Sequence, residues 1–347
     1  MTKKTIRTME ELSREIDVSR PTLSRYFQDP GSVRTRTRQK IEDRLATVDY
    51  VPNFFAMNLN RKRTGLIGVI IPHLNDIFQT GLIDEIEAAA ETLDFRVMVQ
   101  NSHNDSRRET AAIEALRSMN AEGILISPLG RSSNIEAFRR ASLQLPMVLI
   151  DSAIPDAAGS FDFVGNDNFQ SIGLIVDYLV RSGRDPVFFP LPAVNMNAQE
   201  RIDAFRAAMA AHGRKPEVLD VSDFTQDWQF EKIGYEAMKN FFAAGRYTRA
   251  TVLCASDRIA LGAVKAAHEF GLFGTGTAGG FCIAGHDNDV LTRFLHPSIT
   301  TVEQNITDIA REAVAILTRR IALGRQAPPD QPEIRRIPAR LIIHGSG

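Results

Sequence analysis

Two rhythms of apolar residues run along this chain of 347 residues. In the first fifty, apolar positions fall four apart: Leu12 and Ile16, Leu23 and Phe27, Ile41 and Leu45. That spacing sets each pair on one helix face and predicts three short helices with an inward stripe. Start signals agree. Thr8-Met-Glu-Glu11 fits a capping box. Ser19 can cap a second helix through about Phe27, with Pro21 in the first turn, where backbone amides lack partners. From Leu66 the rhythm changes. Apolar runs LIGVII, FRVMVQ, GILIS, PMVLID and FDFVG alternate with amphipathic segments, one carrying Leu82, Ile83 and Ile86, another opened by the capping-box pattern SRRE at Ser106. A helix with Ile172, Ile175 and Leu179 begins a second series, followed by VFF, EVLDV, ATVLCAS and FCIAG. Strands apolar on both faces and separated by helices form parallel sheets covered on both sides. The strands are too many for one sheet, so the pattern predicts an α/β body of two Rossmann-like halves with a cleft between them.

Composition narrows the class. Hydrophobic residues make up 44% and charged residues 24%, as in soluble globular proteins. No apolar run approaches the roughly 20 residues that span a bilayer, and MTKKTIRTMEELSREID has no apolar stretch behind its charges, so a cytoplasmic protein without membrane contact is expected. Cys254 and Cys282 sit in apolar segments without metal-like spacing and read as small buried hydrophobes. Net charge is −1, but its distribution is lopsided: 14 Lys and Arg against 8 Asp and Glu through Arg63, and 27 against 34 beyond. A basic head on an acidic body suits an end that meets a polyanion.

The second predicted helix leaves Arg20, Pro21, Thr22, Ser24 and Arg25 on or near its outer face. Two short helices joined by a tight turn and braced by a third form a helix-turn-helix, whose arginines match guanine edges and whose hydroxyls reach phosphates. The plainer alternative is a small bundle with a solvated face. PNFFAMNLNRKR follows, with a cap in Asn53 and about seven helical residues to Asn60, too few to repay helix nucleation alone. It should order only when something packs on it.

These features together resemble the lactose-repressor (LacI/GalR) family of transcription regulators. The resemblance rests on VSRPTLSR, on YVPN, on a short hinge ending in leucine, and on TGLIGVIIP, in that order. It implies a DNA-binding set of Thr8, Ser19, Arg20, Pro21, Thr22, Ser24, Arg25, Tyr26, Asn53, Ala56 and Leu59, with Arg20, Pro21 and Arg25 in the major groove. Leu59 matches the leucine that wedges between central base pairs of a palindromic operator when two hinges of a homodimer pair in the minor groove. Arg34, Phe54, Phe55 and Met57 depart from the family pattern. The implied domains are 1–50 for the helix-turn-helix, 51–64 for the hinge, and 65–347 for effector binding. Within the last, one half takes about 65–164 and 296–322, the other about 165–295 and 323–347.

Ligands in such sheets sit beyond the carboxyl ends of the strands. His73, Asn75, Asp76 and Phe78 follow the first strand; Asp105, Ser127, Asp151, Asp223, Ser256, His286 and Asp287 follow later ones, and NAQERIDAF brings Arg201 to the cleft edge. Carboxylates, amides and one arginine suit a polyhydroxylated ligand, because each hydroxyl both donates and accepts. Phe78, Phe163 or Trp228 can cover its apolar faces. The resemblance continues here, in ERIDAF, CASDRIALGAVKAAHEFGL and IAGHDN, to effector domains similar to periplasmic sugar-binding proteins. It implies an effector site of Asp76, Phe78, Asp151, Phe163, Arg201, Trp228, Ser256 and Asp287. Ser256 and Gln79 are departures that imply a ligand or pose unlike the common hexoses and pentoses.

GTGTAG, Gly274 to Gly279, satisfies a dinucleotide fingerprint but follows a helix and precedes a strand, the reverse of what that fingerprint needs. No histidine pair has metal spacing and no serine sits in a nucleophile elbow. No cofactor, no metal and no catalysis are expected. The reading that results is a sugar-responsive repressor. A sugar-binding protein of a transport system and a Rossmann-type enzyme are the alternatives, the first opposed by the basic head and the second by the misplaced glycine loop.

Overall fold

A computed structural model describes residues 3–53, 63–157, 159–222, 228–273, 280–324 and 331–346. The chain divides into two compact units, Met1–Thr64 and Gly65–Gly347.

In the first unit, α1 (Met9–Ile16), α2 (Arg20–Gln28) and α3 (Thr35–Leu45) are the three predicted helices. Thr8 Oγ1 accepts the Glu11 amide at 3.1 Å, and the Glu11 carboxylate accepts the Arg7 amide rather than that of Thr8. Asp17 closes α1 in the left-handed region, at φ 54°, and Lys40 on α3 donates to its carbonyl at 2.9 Å, pinning the turn. Ser19 precedes α2, but its side chain makes no cap bond to the backbone; its hydroxyl lies 2.9 Å from that of Thr22. Leu12, Ile16, Leu23 and Ile41 are fully buried together, and Phe27 and Leu45 are partly buried against them. Burying each such side chain contributes roughly 1.5–3 kcal/mol. A short parallel pair, β1 (Lys4–Thr5) with β2 (Val48–Asp49), ties the start of the unit to the end of α3 and was not foreseen.

The second unit has two parallel sheets. The larger runs β13-β7-β6-β5-β3-β4, with β3 (Leu66–Ile71), β4 (Arg96–Asn101), β5 (Gly123–Ile126), β6 (Met147–Ile150), β7 (Asp162–Asn166) and β13 (Ile334–Ile337). On one face pack α4 (Ile77–Glu91) and α11 (Ile306–Leu323); on the other, α5 (Ser106–Ser118) and α6 (Ile135–Ser142). The helix α5 is capped by Asp105, whose carboxylate accepts the amides of Arg107 and Arg108, not by the expected Ser106. The smaller sheet runs β11-β10-β8-β9, with β8 (Pro186–Phe189), β9 (Glu217–Val218), β10 (Thr251–Cys254) and β11 (Cys282–Ala284). Around it lie α7 (Asn168–Arg181), α8 (Met196–Ala211), α9 (Phe230–Ala243) and α10 (Asp257–Glu269). An antiparallel pair, β12 (Thr301–Glu303) with β14 (Arg340–Ile342), sits where the halves join.

Two expected boundaries are corrected. Residues 296–303 belong with the second half, because Ala284 bridges Thr300 and Asp287 bridges Glu303. Residues 334–337 belong with the first, as its edge strand beside β7. The buried Asp162 carboxylate holds that strand in place, accepting a two-pronged bond from Arg320 and the Glu333 amide at 2.7 Å. The chain therefore crosses between the halves near Asp167, Gln304 and Pro338.

In the second half, α9 and α10 touch backbone to backbone at two glycines. A Cβ on Gly262 would lie 1.9 Å from the Glu231 carbonyl oxygen, and one on Gly234 would lie 2.2 Å from that of Ile259. Only glycine permits this approach, and it brings the first turn of α10 against Glu231.

Candidate functional site

The first candidate surface is the outer face of α2. Arg20, Pro21 and Arg25 are exposed, while Thr22, Ser24 and Tyr26 are half-buried at its edge. The Tyr26 ring meets Phe27 at 5.3 Å, edge to face, and burial raises its phenol pKa. Thr8 caps α1, and Asn53 is exposed beyond β2. Ala56 and Leu59 lie outside the described residues, as do Phe54, Phe55 and Met57.

The second is the cleft between the halves of the second unit. Helices α4, α7, α8 and α10 begin just past strand ends and are capped by Asp76, Asp167, Asn195 and Ser256. An opening lies there, lined from the first half by Asp76, Phe78, Gln79 and Asp151. Asn197, Arg201, Trp228, Ser256 and Asp287 line it from the second half, and Gln304 lines it from the crossing segment just after β12. Seven of the eight expected effector residues meet in it.

Phe163 does not. It lies on the face of β7 that packs with Phe138 and Phe161, beneath Arg336 on β13, and is removed from the cleft set. Asp105 is spent on capping α5, and Asp223 lies outside the described residues.

Polar groups bridge the opening directly. Asp151 accepts from Gln79 at 2.9 Å, from Asn197 across the cleft at 3.0 Å and from the Ser127 hydroxyl at 3.2 Å. The Ser152 hydroxyl accepts the Met196 amide from the far half. Arg258 donates to Asp76 of the opposite half at 2.9 Å, while its remaining prongs hold Glu231 at 2.6 and 2.9 Å and the Trp228 carbonyl at 2.8 Å. Its guanidinium lies over the Phe230 ring, itself stacked on Trp228. Asp287 accepts from Arg201, His286 and Gln304 on one oxygen, and His286 reaches the buried Ser171 hydroxyl at 2.9 Å behind it.

The electrostatics follow from burial and pairing. Burial pushes Asp151 up to about 6 against the pull of Arg201. Burial also raises Asp76 despite Arg258. Burial works on Asp287 in the same direction, but Arg201, His286 and Gln304 outweigh it and hold the group down at about 2. Burial, helped by Arg201, drives His286 down to about 4, so a neutral imidazole donates Nδ1–H to Asp287. Asp151 and Asp287 both adopt positive φ, 63° and 115°. Such strain in non-glycine residues persists where surrounding structure over-determines it, often at binding sites.

Sequence reasoning missed Arg258, Asn197 and Gln304, and recorded Gln79 only as a departure. Arg258 carried a signal: it is a cation in the first turn of a helix, where the dipole favours anions, so it needs an acidic partner.

A helix-turn-helix unit followed by a two-lobed, cleft-bearing body defines the class of ligand-responsive DNA-binding proteins. Residues 8–53 match the family described as bacterial regulatory proteins, lacI family, and residues 67–326 match the periplasmic binding protein domain. The chain belongs to the LacI family and is a DNA-binding regulator of transcription. Among its relatives, the HTH-type transcriptional repressor CytR of Escherichia coli K12 is 28% identical over 99% of this chain and 96% of its own. The HTH-type transcriptional regulator PtxS of Pseudomonas aeruginosa is 27% identical over 98% and 95%. The crystal structure of the Lac repressor dimer bound to operator and the anti-inducer ONPF has the same fold, with TM-score 0.82 at 21% identity over 99% of both chains. No helix among the described residues is long and apolar enough to cross a membrane.

Proposed function

We propose that this regulator is a cytoplasmic homodimeric repressor of a palindromic operator, released or engaged by a small sugar or polyol bound in the cleft. The observation that carries the reading is the cleft itself: carboxylates, amides and Arg201 from both halves converge with Trp228 and Phe78 in one space. Acceptors and donors so mixed fit hydroxyl groups, and the aromatic rings fit the apolar faces of a sugar. The exposed Arg20, Pro21 and Arg25 supply the groove contacts. The name of CytR, a repressor related along nearly the whole chain, supports the sign of regulation.

The coupling is one of linkage. A ligand that bonds to both halves fixes the angle between them, and two hinges can pair in the minor groove, with Leu59 as wedge, only at one spacing. Effector and operator then alter each other's affinity by the same factor. The test is a titration of palindromic duplex at fixed salt, with and without sugars and polyols first selected by their thermal shift. A several-fold change in DNA affinity is expected, mirrored in effector affinity. Ligand binding that leaves DNA affinity untouched removes the coupling, and a dimer that binds no duplex removes the whole reading.

A further inference from the structure

Two amide side chains that line the cleft each keep a buried acceptor unsatisfied among the described residues. Gln79 and Gln304 are 2% and 4% exposed and both line the space. Each amide nitrogen is committed to a carboxylate, Gln79 to Asp151 at 2.9 Å and Gln304 to Asp287 at 2.7 Å. An ionised carboxylate only accepts, so it dictates which end of each amide faces it. The two Oε1 atoms are left buried without a hydrogen-bond partner among the described residues. A buried carbonyl in that state calls for a donor.

Arg258, Arg201, Asn197 and Ser127 already donate to acceptors of the protein. Arg258 serves Asp76, Glu231 and the Trp228 carbonyl. Arg201 gives Nε to Asn168 and Nη1 to the Ala255 carbonyl and Asp287. Asn197 and Ser127 both point at Asp151. Charge leans the same way: Asp76, Asp151, Asp287 and Glu231 stand against two arginines, and His286 is neutral. A further anion here would be buried beside unpaired carbonyl oxygens and an excess of carboxylates, with no free cation to meet it among the contacts described.

We propose that the cleft selects against anions: its ligand is uncharged or cationic, brings at least two N–H or O–H donors, and seats them on the carbonyls of Gln79 and Gln304. Sugar acids and sugar phosphates are excluded, while neutral sugars, polyols and amino sugars are admitted. This rests on the reading of the cleft as an effector site for small polyhydroxylated molecules. Gln79 is the specificity-determining residue, because it stands on the first half and meets the ligand as the halves close.

The experiment uses the full chain and matched trios of probes: glucose, gluconate and glucosamine; galactose, galacturonate and galactosamine; xylose, xylonate and xylosamine. Calorimetry gives each affinity, and duplex binding reports that the protein is intact. In any trio that binds, the neutral or amino member should bind at least tenfold tighter than the acid. Gln79→Met, close in shape but without the carbonyl, should narrow that ratio several-fold while duplex affinity persists. Gln304→Met should do the same should Gln79→Met fail to fold. An acid that binds as tightly as its neutral partner overturns the proposal but leaves the effector reading standing. So does a ratio untouched in both variants. A protein that binds duplex but no member of any trio sinks the effector reading, and this inference with it.

Discussion

Arg258→Met tests whether the ion pair across the cleft holds the halves together. The arginine and Asp76 retain 13% and 8% of their side-chain surface, so the pair is nearly dry. Asp76 keeps its helix-cap bonds from the Phe78 and Gln79 amides on Oδ1, but Oδ2 loses its partner. Removing one member of a buried pair costs roughly 3–5 kcal/mol. The Glu231 arm is 46% exposed and adds little, which places the loss near the lower end, about 3 kcal/mol. For a unit of this size that is a fall in Tm of roughly 6–12 °C. Burial already raises the pKa of Asp76, and without Arg258 it rises further. The protonated acid is the form the folded state tolerates, so the loss should shrink as pH falls. Denaturant melts of the full chain at pH 7.5 and pH 5 measure both effects. Adding Asp76→Asn should restore more than half of the loss at pH 7.5. A loss under about 1 kcal/mol, or one equal at both pH values, would refute the reasoning.

Three further outcomes are expected. Gly262→Ala should destabilise by roughly 1–3 kcal/mol or more, since its methyl would meet the Glu231 carbonyl at 1.9 Å and force α9 from α10; a thermal midpoint equal to wild type contradicts the contact. Asp257 is buried beneath the Asp289 amide and the Thr301 hydroxyl and is pushed by burial up to about 8. A raised acid pKa stabilises the fold below its unfolded value, and that stability is lost as pH climbs through the folded one. Asp257→Asn should therefore flatten the fall in stability between pH 6 and pH 8, above the Asp151 range, and parallel profiles would count against it. Leu59→Ala should weaken operator binding at least tenfold with ligand affinity unchanged, as checked by duplex titration and calorimetry.

How much of this was legible beforehand depended on what each residue's pattern could encode. Spacing of four in Leu12/Ile16, Leu23/Phe27 and Ile41/Leu45 was enough for the three-helix head, because a helix stripe is local and needs no knowledge of the partner. Alternation of apolar runs with amphipathic helices was enough for a parallel α/β body. The strand ends then marked Asp76, Asp151, Arg201, Ser256 and Asp287 as cleft residues by topology alone. Phe163 failed for a physical reason: in a strand buried on both faces the period-2 signal vanishes, so sequence cannot say which way an aromatic points.

Tertiary structure alone decided the rest. Arg258 and Asp76 are 182 positions apart, and Asn197 and Asp151 are 46. No local pattern forecasts pairs closed by the meeting of two halves. The tail strand Ile334–Ile337 joined the first sheet rather than the second because a buried Asp162 and Arg320 clamp it there, a choice written in long-range charge pairing. Local periodicity specified the elements; which of their polar ends face one another, and so what the cleft can hold, depended on how the elements closed in space.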